Sequence, residues 1–297
     1  MQKRVLITGG AGFIGSYVSH LLLEKGYAVT VFDNLSQGKK ENIPLGASFV
    51  QGDIGDVQAL QNVIKEGDVV FHLAAIVSVP ITIDKPLTSY VTNVMGTACV
   101  LEAARLSRAS GVILSSSAAV YGNQEGIQSE NMNPAPNSPY GLHKLQNEEL
   151  GRLYSELYNL PVTALRYFNV YGKGHHETGS YAPVIARFLK AKKEGKPFPI
   201  IGNGNQTRDF IHVTDVAEAN YKAMLALEEP TFKVCNVCSG KTYSVNTIAQ
   251  LIDSNHPVEY LPPRIEIQDS CGDIRHTETI LGWKATIPLE RGIAELL

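Results

Sequence analysis

The stretch "VLITGGAGFIGSYVSHLLLEKG", Val5 to Gly26, runs from an apolar, β-branched segment through three spaced glycines into a helix-period pattern. Gly9 permits a tight turn at the strand end, and Gly12 lets the backbone come close to a diphosphate. Gly15 lets the helix pack against the strand. With Phe13 and Ile14 between the last two glycines, the helix opens on amides that face phosphate oxygens, at the end where its dipole favours negative charge. The spacing is G-x-x-G-x-x-G, a variant of the dinucleotide-binding fingerprint. Its force comes from lying between a first strand and a first helix.

The next strand pattern ends in "VFDN", at the distance from the glycines where such folds place an acidic residue. Asp33 is placed to accept hydrogen bonds from the adenosine ribose hydroxyls, with Asn34 beside it. A carboxylate there repels a 2′-phosphate, which favours NAD over NADP. The alternative is an Asp that only opens an Asx-type turn. Asp53 in "VQGDI", followed by Ile54, ends a third strand pattern, where a side chain meets the adenine ring or, alternatively, caps a helix.

Further along, "RVLIT", "AVTVFD", "SFVQGD", "DVVFHLAA", "GVILSSS" and "PVTALRYFN" read as strands, and Gly12–Lys25, Val57–Glu66, Thr88–Ala109 and Tyr140–Tyr158 as helices. Strict alternation predicts right-handed crossovers and a parallel sheet, and nearly continuous apolar strands predict helices on both faces. The expected fold is therefore α/β, a Rossmann-like doubly wound parallel sheet over residues 1–172. After Gly172 glycine and proline become frequent, as in "GKPFPIIGNGNQTRD", which predicts a smaller α/β substrate-binding lobe over 173–297. The chain is expected to return to the first domain around 209–236.

With 44% hydrophobic residues and a net charge of −3, the 297-residue chain suits a water-soluble protein with a real core. It offers no bulk electrostatic reason to bind nucleic acid or an anionic membrane. No apolar run approaches the roughly 20 residues of a membrane span. The chain enters a strand pattern almost at once, and a cytoplasmic protein is expected. Cys235 and Cys238 form a C-x-x-C without the further ligands of a zinc site, so no metal is expected. "FKVCNVCSGK" reads equally as a short buried strand whose cysteines act as small hydrophobes.

In "NSPYGLHKLQNEEL", Ser138 is a natural N-cap and Pro139 a natural first helical residue. Tyr140 and Lys144, four apart, share one helix face. Such a pair is common by chance, but after a glycine fingerprint and a serine-ended strand it becomes a candidate acid–base pair. A phenol with an ordinary pKa near 10 is a poor base at neutral pH, and a neighbouring ammonium favours its phenolate. Ser117 is placed to share a hydrogen bond with Tyr140 and a substrate hydroxyl. Lys144 can also hold the nicotinamide ribose.

In order along the chain, "TGGAGFIGS", "DVVFHLAA", "TNVMGT", "SSSAAVYG", "SPYGLHK", "LRYFNVYG", "GNGNQTRDFIHVTDVA" and "LGWK" resemble the extended short-chain dehydrogenase/reductases. The similarity is to the NAD-dependent nucleotide-sugar epimerase/dehydratase group, nearest its UDP-glucose and UDP-N-acetylglucosamine 4-epimerases. The resemblance implies catalytic roles for Ser117, Tyr140 and Lys144, all three in contact with substrate or cofactor. It implies cofactor contacts at Leu73, Ala74, Ala75 and Asn93, although an asparagine inside a helix can be merely structural. It places the nucleotide diphosphate at Asn169 and Arg208, the latter alternatively paired with Asp209. Arg264 is the implied second diphosphate contact, one residue closer to Ser270 than the family pattern. Ser270, or its neighbour Cys271, is the implied gate that admits an N-acetyl group. Ser78 is either a sugar contact or an ordinary loop serine.

Related dehydratases carry an Asp–Glu pair after the catalytic serine, and related decarboxylases a glutamate. Ala118 and Ala119 stand there in this chain. The group implies a UDP-sugar 4-epimerase working through a 4-keto sugar with bound NAD, without net redox change. A UDP-glucuronate 4-epimerase, an open-cycle reductase and a non-catalytic NAD-binding scaffold are the alternatives. Family members often form homodimers through the Tyr–Lys helix and the helix before it.

Overall fold

The computed structural model describes residues 3–124, 126–175, 183–227, 230–263 and 268–297. Its centre is a seven-stranded sheet. From one edge to the other the strands are Phe232–Val237, Val162–Tyr167, Gly111–Ser117, Val69–His72, Arg4–Thr8, Ala28–Asp33 and Ser48–Gln51, every neighbouring pair parallel. The order reverses beside Arg4–Thr8, the switch point at which open α/β sheets bind ligands.

Period-two alternation inside these strands feeds two cores. Val5, Ile7, Val31 and Ile113 face one way, onto the helices Phe13–Glu24 and Val213–Leu225. Leu6, Phe32, Val112 and Leu114 face the other, onto Val57–Val63, Gly96–Leu106 and Pro139–Tyr158. Both faces are covered, which is why the strands read as unbroken apolar runs. Cys235 and Cys238 are free, fully buried thiols in two of the cores.

The predicted helix Thr88–Ala109 is present as an unbroken helical stretch from Pro86 to Leu106, with a π-helical turn at Val91–Met95, and a further short helix, Val79–Asp84, precedes it. Pro86 starts a helix at its first position, and the wider π turn re-aims Asn93 into the protein.

The lobe over the strand ends holds a five-stranded sheet built on Thr207–His212. This strand pairs in parallel with Asn169–Tyr171 and Asp269–Gly272 and antiparallel with Thr242–Ser244, and Ile127–Gln128 extends the far side. The chain therefore passes repeatedly between the two sheets: out at Ile127, back for Val162–Tyr167, out at Asn169, back through Val213–Leu225 to Phe232–Val237, and out again. Leu281 and Trp283, near the C-terminal end, pack in the first core. Among the described residues no helix is long and apolar enough to cross a membrane.

Candidate active site

A cleft of about 760 Å³ opens between the carboxyl ends of the central strands and the lobe. Gly9, Gly12, Phe13, Ile14 and Gly15 line one end, Ser117, Tyr140 and Lys144 the floor, and Asn169 and Arg208 the lobe side. The glycine turn fits a dinucleotide on its own geometry. Gly9 has φ +71°, and a Cβ there would lie 2.6 Å from the Ala74 nitrogen. At Gly15 a Cβ would collide with the Gly9 carbonyl and come within 2.7 Å of the Gly10 Cα. Gly12 caps the following helix with no side chain over its first turn, leaving that end of the cleft to backbone.

Asp33 combines both readings of its sequence. One carboxylate oxygen accepts from the Ala11 amide at 3.0 Å, pinning the glycine turn, and the other closes an Asx turn onto the Leu35 amide at 2.8 Å. Each oxygen keeps a second lone pair for a ribose hydroxyl. Asn34 donates to Asp53 at 2.9 Å, which ties the second strand end to the third. Asp53 also takes the Gly55 amide, and the cap of the next helix is Asp56 instead. Ile54 is buried in the second core.

Asn93 requires a correction. It is 1% exposed and does not line the cleft: its amide oxygen accepts from the Ile76 nitrogen at 2.7 Å and its NH2 donates to the Ile76 carbonyl at 2.9 Å. It braces the segment that carries Leu73, Ala75 and Ser78 into the cleft wall. Ser78 caps the helix Val79–Asp84, accepting from the Ile81 amide, while also lining the cleft.

The helix Pro139–Tyr158 starts where its signals predict, with the Ser138 hydroxyl accepting the Gly141 amide at 3.1 Å. The three serines ending the strand Gly111–Ser117 all bond to it, at residues four apart on one face. Ser117 hydrogen-bonds Tyr140. Lys144 Nζ donates to the Ser115 carbonyl at 2.6 Å and its hydroxyl at 3.1 Å. Ser116 donates to Glu148 at 2.5 Å. Burial pushes the Tyr140 pKa up to about 12 against the opposing pull of Ser117. It pushes Lys144 down to about 8, with the Glu148 charge resisting. The Lys144 ammonium lies 5.8 Å from the Tyr140 ring centre.

Behind this face lies a network that the sequence reading missed. Arg166, in the buried strand Val162–Tyr167, makes a two-pronged pair with Glu148, Nε–Oε1 at 2.9 Å and Nη2–Oε2 at 2.7 Å, both side chains 4% exposed. It also donates to the Tyr121 hydroxyl at 2.9 Å, which donates on to Asn236 at 2.7 Å. Burial works against the Arg166 charge, but the Glu148 hydrogen bonds and charge, together with Tyr121, outweigh it and hold its pKa above the ordinary value. An arginine inside an otherwise apolar strand is itself a signal that a buried anion must face it.

On the lobe side, Arg208 does not pair with Asp209. Strand alternation turns the two apart, and Asp209 accepts from the Ser239, Gly240 and Gly272 amides. Arg208 faces the cleft and is braced by the Thr207 and Gln268 carbonyls. Asn169 donates to the Asp209 carbonyl at 2.8 Å. Ser270 pairs with Arg208 across neighbouring strands, but it is buried, its hydroxyl donates to Gln128 at 3.2 Å, and neither it nor Cys271 lines the cleft. Arg264 lies outside the described residues. Cleft residues that the sequence reading did not single out include Gln37, Lys85, His175, Arg187 and Gln206.

His72, under the floor, hydrogen-bonds Thr8 at 2.7 Å and Thr97 at 2.9 Å. Burial foremost, and then the Lys144 charge, push its pKa down to about 3. A base depressed below its ordinary 6.5 contributes stability that is present above pH 6.5 and lost as pH falls towards 3, at up to about 1.4 kcal/mol per unit. Asp209 acts in the opposite sense: burial raises its pKa to about 6, so the folded form gains relative stability between pH 6 and its ordinary 3.8. The histidine is isolated by comparing proteins. The unfolding free energy of His72→Gln is expected to fall less steeply than that of the wild type between pH 6.5 and 4, read by urea titration. Equal slopes would remove His72 from the acid response.

A family model for the NAD dependent epimerase/dehydratase family matches residues 5–238. The UDP-glucose 4-epimerase of Mycolicibacterium smegmatis is 35% identical over 304 residues, covering 98% of this chain and 96% of that protein. Among solved structures, the UDP-N-acetylglucosamine 4-epimerase of Methanobrevibacter ruminantium, in complex with UDP-N-acetylmuramic acid, superposes with a TM-score of 0.94 at 34% identity, covering 99% and 96% of the two chains. The Thermotoga maritima UDP-glucose 4-epimerase with UDP-glucose gives 0.91 at 35% identity, covering 98% and 96%. The likeness spans whole chains. The chain belongs to the NAD-dependent epimerase/dehydratase family.

Proposed function

We propose that this protein is a cytoplasmic UDP-sugar 4-epimerase that inverts carbon 4 of UDP-glucose and UDP-galactose and accepts the corresponding N-acetylhexosamines. The observation that carries the reading is the convergence of Ser117, Tyr140 and Lys144 on one cleft floor, between the glycine turn and Arg208. When bound, NAD supplies a reversible hydride acceptor and, in its oxidised form, a positive charge beside the phenol. Tyr140 Oη takes the proton of the sugar 4-hydroxyl, Ser117 orients that hydroxyl, and Lys144 favours the phenolate. The resulting 4-keto sugar turns over while Arg208 and Asn169 hold its diphosphate. Tyr140 then returns the proton to the carbonyl oxygen once the sugar presents the opposite face of carbon 4 to the cofactor side. A guanidinium suits the tether because it meets phosphate oxygens with two donors. At 118 and 119, methyl groups replace the acids that elimination requires, so the reaction ends in epimerisation.

UDP-glucose, UDP-N-acetylglucosamine and UDP-glucuronate, each incubated without added NAD and followed by NMR, test the proposal. The 4-epimer is expected from the first two. Conversion of the glucuronate alone moves the assignment to that series, with Lys85 and Arg187 as the cations lining the same cleft. Conversion of none sinks it.

The working form is a homodimer. Leu142, Leu153 and Leu157 lie on one face of Pro139–Tyr158 and are 46%, 41% and 65% exposed, alongside Leu87, Val91 and Met95 from the preceding helices. Such a cluster of exposed apolar side chains marks a protein interface. Leu153→Glu combined with Leu157→Glu is expected to give monomers by light scattering; an unchanged dimer mass would move the interface elsewhere.

A further inference from the structure

Glu148 stands one helical turn beyond Lys144, on the face that already carries Tyr140. Its carboxylate is held from two sides. The Ser116 hydroxyl donates to it, and the Arg166 guanidinium closes on both its oxygens. Arg166 is fixed in turn through Tyr121 to Asn236, whose backbone amide donates to Glu130 at 2.7 Å.

Lys144 is 3% exposed, and its ammonium donates to two dipoles, the carbonyl and hydroxyl of Ser115. A buried ammonium is costly without an anion, and the need grows when an oxidised nicotinamide, itself positive, shares the pocket. Among the described residues the anion that favours the Lys144 charge is Glu148. The other titratable groups around Lys144 supply no negative charge before Tyr140 ionises. His72, under the floor, and His143, on the same helix, are held below their ordinary pKa by burial and then by Lys144. Burial raises Tyr167, on the strand that carries Arg166, above its own. The Arg166 charge is matched by Glu148 through two bonds, and Asn93 on the π turn is uncharged.

We propose that Glu148 is a positioning residue for the proton transfer: pinned by Ser116 and Arg166, it keeps the Lys144 ammonium charged so that Tyr140 can give up its proton. The proposal rests on the reading of Tyr140 and Lys144 as the acid–base pair. Glu148 does not line the cleft, so its effect runs through Lys144 and not through contact with substrate. An ammonium that loses a neighbouring carboxylate gives up its proton at lower pH. Without Glu148 the alkaline fall in kcat therefore begins earlier.

The test follows kcat for 4-epimerisation by the holoenzyme at saturating UDP-sugar across neutral and alkaline pH. In Glu148→Gln the alkaline limb is expected about one pH unit below the wild type, a tenfold change in the proton affinity of Lys144. This change leaves Arg166 facing an amide, so the deciding protein is Glu148→Leu, Arg166→Leu, in which no charge is stranded. Its limb should move the same way, with KM for the UDP-sugar unchanged. A limb at the wild-type pH in the double variant overturns the proposal however far kcat falls, since a loosened fold lowers kcat at every pH alike. The nitrogen-15 shift of the Lys144 ammonium, assigned by its loss in Lys144→Met, gives a readout independent of turnover. It should titrate at lower pH in the double variant than in the wild type. A wild type that converts no UDP-sugar sinks the proposed reaction, and the Lys144 titration then decides on Glu148 alone: an unmoved titration overturns it.

Discussion

Tyr140→Phe, the loss of one oxygen atom, is expected to lower kcat for 4-epimerisation by about 10³-fold. Thermal stability and NAD content should stay unchanged. The oxygen at stake faces Ser117 at the cleft floor, and burial holds its pKa at about 12 in the ligand-free site. That value marks a weak acid until a cation approaches, so the hydroxyl serves as a base only beside Lys144 and an oxidised nicotinamide. Lys144 itself is held near 8, and above that pH the support for the phenolate fades. Single-turnover absorbance at the reduced-nicotinamide band separates the effects: the variant should bind UDP-sugar normally yet fail to develop the band. A variant that retained a tenth or more of the activity would place the proton path elsewhere. Full function in vivo would revive the scaffold reading.

Arg166→Leu is expected to destabilise the fold by about 3–5 kcal/mol, because it strands the Glu148 carboxylate in a dry interior. For a chain of this size that is a fall in Tm of roughly 10 °C. The discriminating measurement is the double variant Glu148→Leu, Arg166→Leu, in which no charge is left unpaired. It should recover at least half of the loss in calorimetry. Additive losses from the two single changes would mean that the pair is not energetically coupled.

The contrast between Tyr140 and Arg166 also measures how far the sequence could be read. The Gly9–Gly12–Gly15 turn, the strands and the Tyr140/Lys144 helix were legible because each depends on local sequence: glycine spacing, short apolar β-branched runs, a period of four, a cap at Ser138. The exceptions depend on partners far along the chain. Asn93 reads as a cofactor contact until its amide is seen to hold the Ile76 backbone. Asp209 stood as an alternative partner for Arg208, whereas strand alternation turns it into a nest of amides from residues 239, 240 and 272. The resemblance put Ser270 at the gate of the sugar pocket, but its bond to Gln128, 142 residues away, could not be read from spacing. The π turn at Val91–Met95 inside the helix that was read from Thr88 leaves no trace in the apolar pattern. Ser115 and Ser116 bond Lys144 and Glu148 and so fix Ser117 in register with Tyr140.

The repeated passage of the chain between its two sheets constrains how the protein can work. Lobes joined by a single hinge open and shut like jaws, whereas lobes stitched by several crossings behave as one casing. In such a casing the half-turn demanded of the keto sugar must come from rotation about the ligand's own bonds to its diphosphate. The enclosure then acts as a gauge of the swept volume and not only of the resting shape. Substituents are screened by what clears the walls midway, so a sugar can bind well at both ends of its swing and still fail to turn.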